Sequence, residues 1–313
     1  MAVKSLIIGG AGFVGGHLMD RLLSDGNEVA ATKLENEKID RHGVKTINMQ
    51  LLDADSVKRA INEELPDRIY HLAAVSSVAL SWKQPHLTVD VNIKGAINLL
   101  EAVRASGKSI RVLMIGSGEE YGAVKPQELP VNEECSLHPG NMYAVTKICQ
   151  NMISSLYAKA YGMDVMMVRA FNHCGPGQAP MFVVSDFAKQ IAEAEAGKRE
   201  KVLYVGNLSA KRDFTDVRDV VRAYSLLMEK GGCGETYNVG SGRAVAIDEL
   251  LKKLISNAKC SIEVKTDEKR FRPVDVPVIE ADITKLKDAT GWQPEIPIDK
   301  TLADTLEYWR KNI

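Results

Sequence analysis

Short apolar runs alternate with stretches of helical period along most of the chain. Lys4-Ser5-Leu6-Ile7-Ile8 reads as a buried parallel strand, His17 to Leu23 as a helix and Glu28 to Thr32 as a second strand. Lys45 to Met49 and Arg68 to Leu72 follow as strands, with an amphipathic helix from Ser56 to Leu65 between them. A long helical pattern from about His86 to Ala105 precedes a fifth strand, Arg111 to Ile115. Alternation of this kind implies a doubly wound parallel sheet, with ligands beyond the carboxyl ends of its strands.

The second half continues with a sixth strand (Val165 to Val168), a helix (Phe182 to Ala196) and the segment Val202 to Leu208. The helix Asp216 to Met228 and strand Thr236 to Val239 are expected to return to the first sheet. Ile247 to Asn257, Ser261 to Val264 and Thr284 to Thr290 are assigned to a smaller lobe, closed by an amphipathic helix from Thr301 to Arg310. The expected fold is α/β: a doubly wound (Rossmann) domain over residues 1–170, completed by about 213–242, and a smaller, interleaved C-terminal α/β lobe over 171–313.

Gly9-Gly10-Ala11-Gly12-Phe13-Val14-Gly15 stands between the first strand and its helix. In that context glycines at 9, 12 and 15 mean dinucleotide binding: a tight turn, with the pyrophosphate against amides at a helix N-terminus. Phe13 and Val14 belong to the same turn. After the second strand an acidic residue would bind a ribose 2′-hydroxyl, and a basic one a 2′-phosphate. The sequence has Thr32-Lys33, which favours NADP(H) over a merely solvated lysine, while Glu35 leaves NAD(H) open. Asp53, after the third strand, is placed to hydrogen-bond the adenine. Leu72-Ala73-Ala74 ends the fourth strand with small residues against which a cofactor can lie.

Tyr143 and Lys147 are one helical turn apart, in a helix that Asn141 can cap. The stripe Val145, Ile148, Met152, Ile153 and Leu156 is expected to face the core, leaving the pair on its flank. A phenol near an ammonium is biased towards phenolate and can exchange a proton at neutral pH. Ser117, in Gly116-Ser117-Gly118-Glu119, can hydrogen-bond that phenol and a substrate oxygen, or cap a turn; Glu119 is either a base or a surface residue. Arg212 and Arg272 could converge on one diphosphate or form surface salt bridges.

Composition narrows the classes. Net charge is −1 over 313 residues, which gives no electrostatic case for nucleic acid or a membrane surface. No apolar run is long enough to span a bilayer, and the apolar start lacks the build of a signal peptide, which argues for a cytoplasmic protein. The five cysteines are odd in number and widely spaced, suggesting neither disulfides nor a zinc site; no metal is expected.

Gly9-x-x-Gly12-x-x-Gly15, His71-Leu72-Ala73-Ala74, Asn92, Ser117 and Tyr143-x-x-x-Lys147 resemble the extended short-chain dehydrogenase/reductase superfamily over nearly the whole chain. The resemblance implies that Tyr143 is the acid/base and that Lys147 holds the nicotinamide ribose and lowers the tyrosine pKa. It also implies that Ser117 binds a sugar oxygen at C4, and it adds Asn92 to the cofactor site. Phe171-Asn172-His173 and Ala210-Lys211-Arg212-Asp213 are similar to the GDP-mannose branch. Gly175-Pro176-Gly177-Gln178 and Ser76-Ser77 look most like its GDP-6-deoxy-4-keto-mannose reductases. On that likeness Ser76, Asn172, Val184, Lys189, Arg212, Arg272 and Asp275 fall on contacts to a GDP-linked deoxyhexose, with His173 unassigned. The dehydratases of the branch read Thr-Ser-Glu where this chain reads Ser117-Gly118-Glu119, and they carry a longer, arginine-rich stretch in place of Leu34 to Val44. A GDP-mannose 4,6-dehydratase therefore stands second to a reductase, ahead of a 4-epimerase or a non-catalytic dinucleotide-binding protein. The superfamily's four-helix interface implies a homodimer.

Overall fold

The computed structural model describes residues 2–271 and 276–313. Arg272 and Asp275 lie outside the described residues.

Seven strands form the larger sheet: β1 (Lys4–Ile8), β2 (Glu28–Lys33), β3 (Val44–Asn48), β4 (Arg68–His71), β5 (Arg111–Ser117), β6 (Val165–Ala170) and β10 (Thr236–Val239). Their order is β3-β2-β1-β4-β5-β6-β10, and every neighbouring pair is parallel. Leu6, Ile7 and Ile8 are fully buried because helices cover both faces. Helices α1 (Phe13–Ser24), α2 (Ala54–Glu64) and α3 (Val78–Lys83) follow β1, β3 and β4. The topological switch falls between β1 and β4, where a crevice must open at the strand ends.

The long helix expected from His86 is divided. It comprises α4 (Pro85–Val89), a π-helical turn (Asp90–Lys94) and α5 (Gly95–Ala105). Helix α6 (Met142–Tyr161) starts as expected, with Asn141 Oδ1 accepting the Ala144 N–H at 2.8 Å. Only Ile153 of the expected apolar stripe packs against the core, with Ile148 half-buried; the rest of the polarity is the reverse of the expectation. Val145, Met152 and Leu156 are exposed, whereas Tyr143, Lys147, Gln150, Asn151 and Ser154 face the sheet. The buried polar face is stable because its groups find partners: Asn151 with Glu120, Ser154 with the Gln150 carbonyl.

The smaller lobe contains β7 (Asn172–Cys174), α7 (Val183–Glu195), β8 (Val202–Val205) and β9 (Lys211–Asp216). After α8 (Val217–Lys230) it adds β11 (Ala244–Ala246), α9 (Ile247–Ser256), β12 (Glu263–Thr266) and β13 (Val278–Ile279). Strands β7, β11 and β13 pair with β9, and β12 pairs with β8. Its core holds Phe187, Ile191, Leu250, Leu254, Leu302 and Leu306, the last two on α11 (Ile298–Lys311). Helix α10 (Thr284–Thr290), expected in this lobe, belongs elsewhere: Leu286 and Trp292 sit in the core of the larger sheet with Tyr224 and Leu227 of α8. No helix among the described residues is long and apolar enough to cross a membrane.

Candidate active site

A cavity of about 950 Å³ runs from the glycine turn, across the carboxyl ends of the larger sheet, to α7 of the smaller lobe. That is the size of a ligand site.

At its first end the chain has removed its own side chains. A Cβ on Gly9, whose φ is +86°, would stand 2.8 Å from the Ala73 backbone, and one on Gly15 only 2.3 Å from the Gly10 carbonyl oxygen. The turn is held by Thr32, whose Oγ1 accepts the Gly9 N–H at 3.0 Å. Helix α1 begins at Gly12 with no side-chain cap and no acidic residue in its first turn, so its N–H groups face the cavity bare. A bare helix start beside closely packed glycines fits a dinucleotide pyrophosphate.

Gly9, Gly12, Phe13, Val14, Gly15, Thr32, Lys33, Leu72, Ala73 and Ala74 all line this end. Asp53 does not: its Oδ1 caps α2 through Asp55 and Ser56 N–H, and Gln50, Leu51 and Leu52 form the wall instead. The acid beside Lys33 is Glu37 rather than Glu35. Its Oε2 accepts the Leu34 N–H at 2.8 Å, and it lines the cavity with Lys33.

Tyr143, Lys147, Ser117 and Glu119 meet at the middle of the cavity. Tyr143 is buried, and Ser117 stands in the same wall. Burial pushes the Tyr143 phenol well above its ordinary pKa, and the Ser117 side chain only partly opposes this, so the group rests protonated. The lysine does not supply the expected bias. Its Nζ donates to the Ile115 carbonyl at 2.6 Å and to Gln150 Oε1 at 3.0 Å, and lies 6.0 Å from the Tyr143 ring centre. Burial lowers the Lys147 pKa to about 8, with Glu120 opposing.

Asn92 lies off the cavity wall, contrary to its expected place in the cofactor site. The π-helical turn aims its amide at Val75, with Oδ1 accepting the Val75 N–H at 2.8 Å and Nδ2 donating to the Val75 carbonyl at 3.1 Å. The same Nδ2 donates to Thr146 Oγ1 at 2.9 Å, which ties the loop after β4 to the helix carrying Tyr143. Glu119 is positioned from that helix too, its Oε2 accepting from Asn141 Nδ2 at 3.0 Å. Behind Ser117 lies a buried network absent from the sequence reading. Glu120 Oε1 accepts the Ser117 N–H at 2.8 Å, and Glu120 Oε2 accepts from Arg169 Nε at 3.1 Å.

The second end is lined by Ser76, Asn172, Val184 and Arg212, with Asp186, Lys269, Arg270 and Phe271, which sequence reasoning missed. Lys189 is turned away: it pairs with Glu193 at 3.7 Å and sits over the Trp309 ring, outside the cavity wall. His173 lines the cavity between the two ends, stacked on Phe13 with Nδ1 held by the Phe171 carbonyl, and burial keeps its ring neutral.

The depressed Lys147 has a measurable consequence for stability. An unfolded lysine keeps its proton to about pH 10.4. Between pH 8 and that value the unfolded chain binds the extra proton, so stability rises with pH there, and below pH 8 the full burial penalty remains. Lys147→Met is expected to stabilise the dinucleotide-free protein at pH 7 by on the order of 2 kcal/mol, an advantage that shrinks by pH 10. Urea midpoints at the two pH values check this; a variant less stable than the parent at pH 7 would refute it.

A family model described as GDP-mannose 4,6 dehydratase matches residues 6–305. The chain is 35% identical over 313 residues to the GDP-6-deoxy-D-mannose reductase of Pseudomonas aeruginosa, covering 100% of this chain and 99% of that one. Among solved structures it resembles RMD from Pseudomonas aeruginosa complexed with NADPH, with 34% identity, a TM-score of 0.87 and coverage of 99% and 100%. The Thermus thermophilus UDP-glucose 4-epimerase in complex with NAD is similar at 30% identity and a TM-score of 0.89, with the same coverage. By the match over nearly its whole length, on a parallel sheet bearing the glycine turn and the Ser117, Tyr143 and Lys147 constellation, the chain belongs to the GDP-mannose 4,6-dehydratase family of the extended short-chain dehydrogenase/reductases.

Proposed function

We propose that the protein is an NAD(P)H-dependent reductase of the C4 carbonyl of GDP-4-dehydro-6-deoxy-D-mannose, giving GDP-D-rhamnose. The observation that carries this reading is the buried Tyr143 phenol, lining one cavity together with Ser117 and Lys147. A reductase needs an acid that holds its proton until an alkoxide forms, and burial makes Tyr143 that acid. The reductase name of the Pseudomonas relative, and NADPH in its structural counterpart, point the same way.

The glycine turn and the bare start of α1 would hold the pyrophosphate, and Lys33 a 2′-phosphate. Reduced nicotinamide, when bound, supplies the hydride. Ser117 orients the C4 carbonyl, and as its π electrons move onto oxygen Tyr143 transfers the phenolic proton to that oxygen. Lys147, lining the same wall, would hold the nicotinamide ribose, and Arg212 stands at the far end for a diphosphate.

Glu119 supports a second reading, GDP-mannose 4,6-dehydratase, because it also lines the cavity where a base for a C5 proton would be needed. Two reactions separate them: GDP-4-dehydro-6-deoxy-D-mannose with NADPH, and GDP-mannose with catalytic NADP⁺. NADPH consumption with a GDP-deoxyhexose product supports the reductase; a keto-sugar in the second reaction, with no oxidation in the first, refutes it.

A homodimer is part of the proposal. Val145, Met152 and Leu156 expose an apolar stripe on α6, and Leu87 and Val89 of neighbouring α4 are exposed too. Such a stripe suits a helical interface between two copies. Met152→Glu with Leu156→Glu is expected to convert a dimer into a monomer by light scattering; a monomeric parent protein would refute the assignment.

A further inference from the structure

The relatives named above act on both guanosine and uridine diphosphate sugars by their names, so the base that this cavity accepts is a property of its own side chains. Accepting the nucleotide-sugar reading, the base lies at the second end of the cavity, because the adenine of the dinucleotide takes the wall at Gln50 to Leu52. At that second end α7 presents Val183, Val184 and Phe187 as an apolar wall and Asp186 as its carboxylate.

Asp186 is held from behind. Gln190, one turn further on, is locked by β8: its Oε1 accepts the Tyr204 N–H at 3.1 Å, which forces its Nε2 to the donor side. That Nε2 donates to Asp186 Oδ2 at 2.8 Å, and Arg270 Nη1 donates to the same oxygen at 2.5 Å. Among the described residues, both hydrogen bonds that Asp186 accepts therefore end on Oδ2, and the side chain is one-fifth exposed. A carboxylate anchored by one oxygen beside an apolar wall offers the other to a ligand, as an acceptor only.

We propose that Asp186 selects guanine. Of the common bases, guanine alone presents two adjacent donors, N1–H and the 2-amino group, that can converge on the one oxygen left open, Oδ1. Uracil presents a single N–H between two carbonyl oxygens that a carboxylate repels, and adenine and cytosine place an acceptor nitrogen beside their amino group. Bonds to a charged acceptor carry discrimination of roughly 10–100-fold each. Lys189, the cation of this helix suggested by resemblance, has no part in the selection.

The test is calorimetric titration of the full-length protein, saturated with NADPH, with GDP, UDP, inosine diphosphate and xanthosine diphosphate. The parent is expected to bind GDP at least tenfold more tightly than inosine diphosphate, which lacks the 2-amino group, and more tightly still than UDP. In Asp186→Asn the donors Gln190 and Arg270 keep the amide oxygen at the Oδ2 position, so Nδ2 replaces Oδ1 towards the base, where it repels the guanine donors and can donate to the 2-carbonyl of xanthine. GDP should weaken at least tenfold and xanthosine diphosphate should gain at least tenfold, with UDP unchanged. A merely structural aspartate would give loss without that gain. GDP and inosine diphosphate binding equally to the parent would overturn the proposal whether or not the variant folds, and so would an Asp186→Asn protein with no gain for xanthosine diphosphate. Guanine selectivity without reduction of the keto-sugar would refute the reductase and leave the base assignment standing.

Discussion

Tyr143→Phe is expected to lower keto-sugar reduction by about 10²–10⁴-fold while leaving NADPH affinity within a few-fold of the parent. The variant removes one oxygen from a residue whose ring is already buried, so little packing is lost. What disappears is the proton donor. Ser117 can still orient the carbonyl, but its hydroxyl is a far weaker acid than a phenol. The loss should lie in kcat rather than KM, because the phenol's proton matters at the alkoxide and little in ground-state binding. Single-turnover absorbance at saturating NADPH and substrate measures it. A variant retaining more than a tenth of the parent rate would remove Tyr143 from the chemistry.

Two kinds of feature were legible in the sequence. Local spacing showed the glycine turn, because three glycines between a strand and a helix satisfy constraints confined to a few residues. The Tyr143 and Lys147 pair showed itself through one helical turn. Features set by distant partners did not show. The inward face of α6 could not be read from its apolar stripe, since groups satisfying its polar face, the Ile115 carbonyl of β5 and the Glu120 carboxylate just after it, lie 32 and 31 residues away in sequence. Asn92 was found but given the wrong neighbours, because only the π-helical turn aims it at Val75 and Thr146. Asp53 was placed on adenine when its nearest donors were the first N–H groups of α2, a capping signal present in Asp53-Ala54-Asp55-Ser56. Lys189 and Asp186 lie on the same helix, yet one pairs outward with Glu193 and the other lines the cavity. Helix phase separates them only when the wall opposite α7 is known.

The network behind Ser117 supports the second large expectation. Arg169 donates Nε to Glu120, donates Nη1 to the Tyr121 hydroxyl and the Glu133 carbonyl, and stacks 4.9 Å over the Tyr121 ring. Glu120 is fully buried, and burial already pushes its carboxyl above the ordinary value with Arg169 as the leading opposing charge. Arg169→Met leaves that carboxylate without its cation, which is expected to cost about 3–5 kcal/mol and roughly 6–10 °C in Tm. The sign of the pH dependence follows. Without the guanidinium the folded carboxyl pKa rises further, so the folded variant binds a proton more tightly than the unfolded chain. Its stability is therefore best below the unfolded carboxyl pKa and falls as pH rises through the folded one. The deficit against the parent should be smaller at pH 5 than at pH 8. Because Glu120 also accepts the Ser117 N–H, kcat should fall in the folded fraction as well. Adding Glu120→Gln to Arg169→Met removes the orphaned charge and should restore part of the stability. A double variant no more stable than Arg169→Met at pH 8 would show that the cost lies in lost packing over Tyr121 and not in the buried charge.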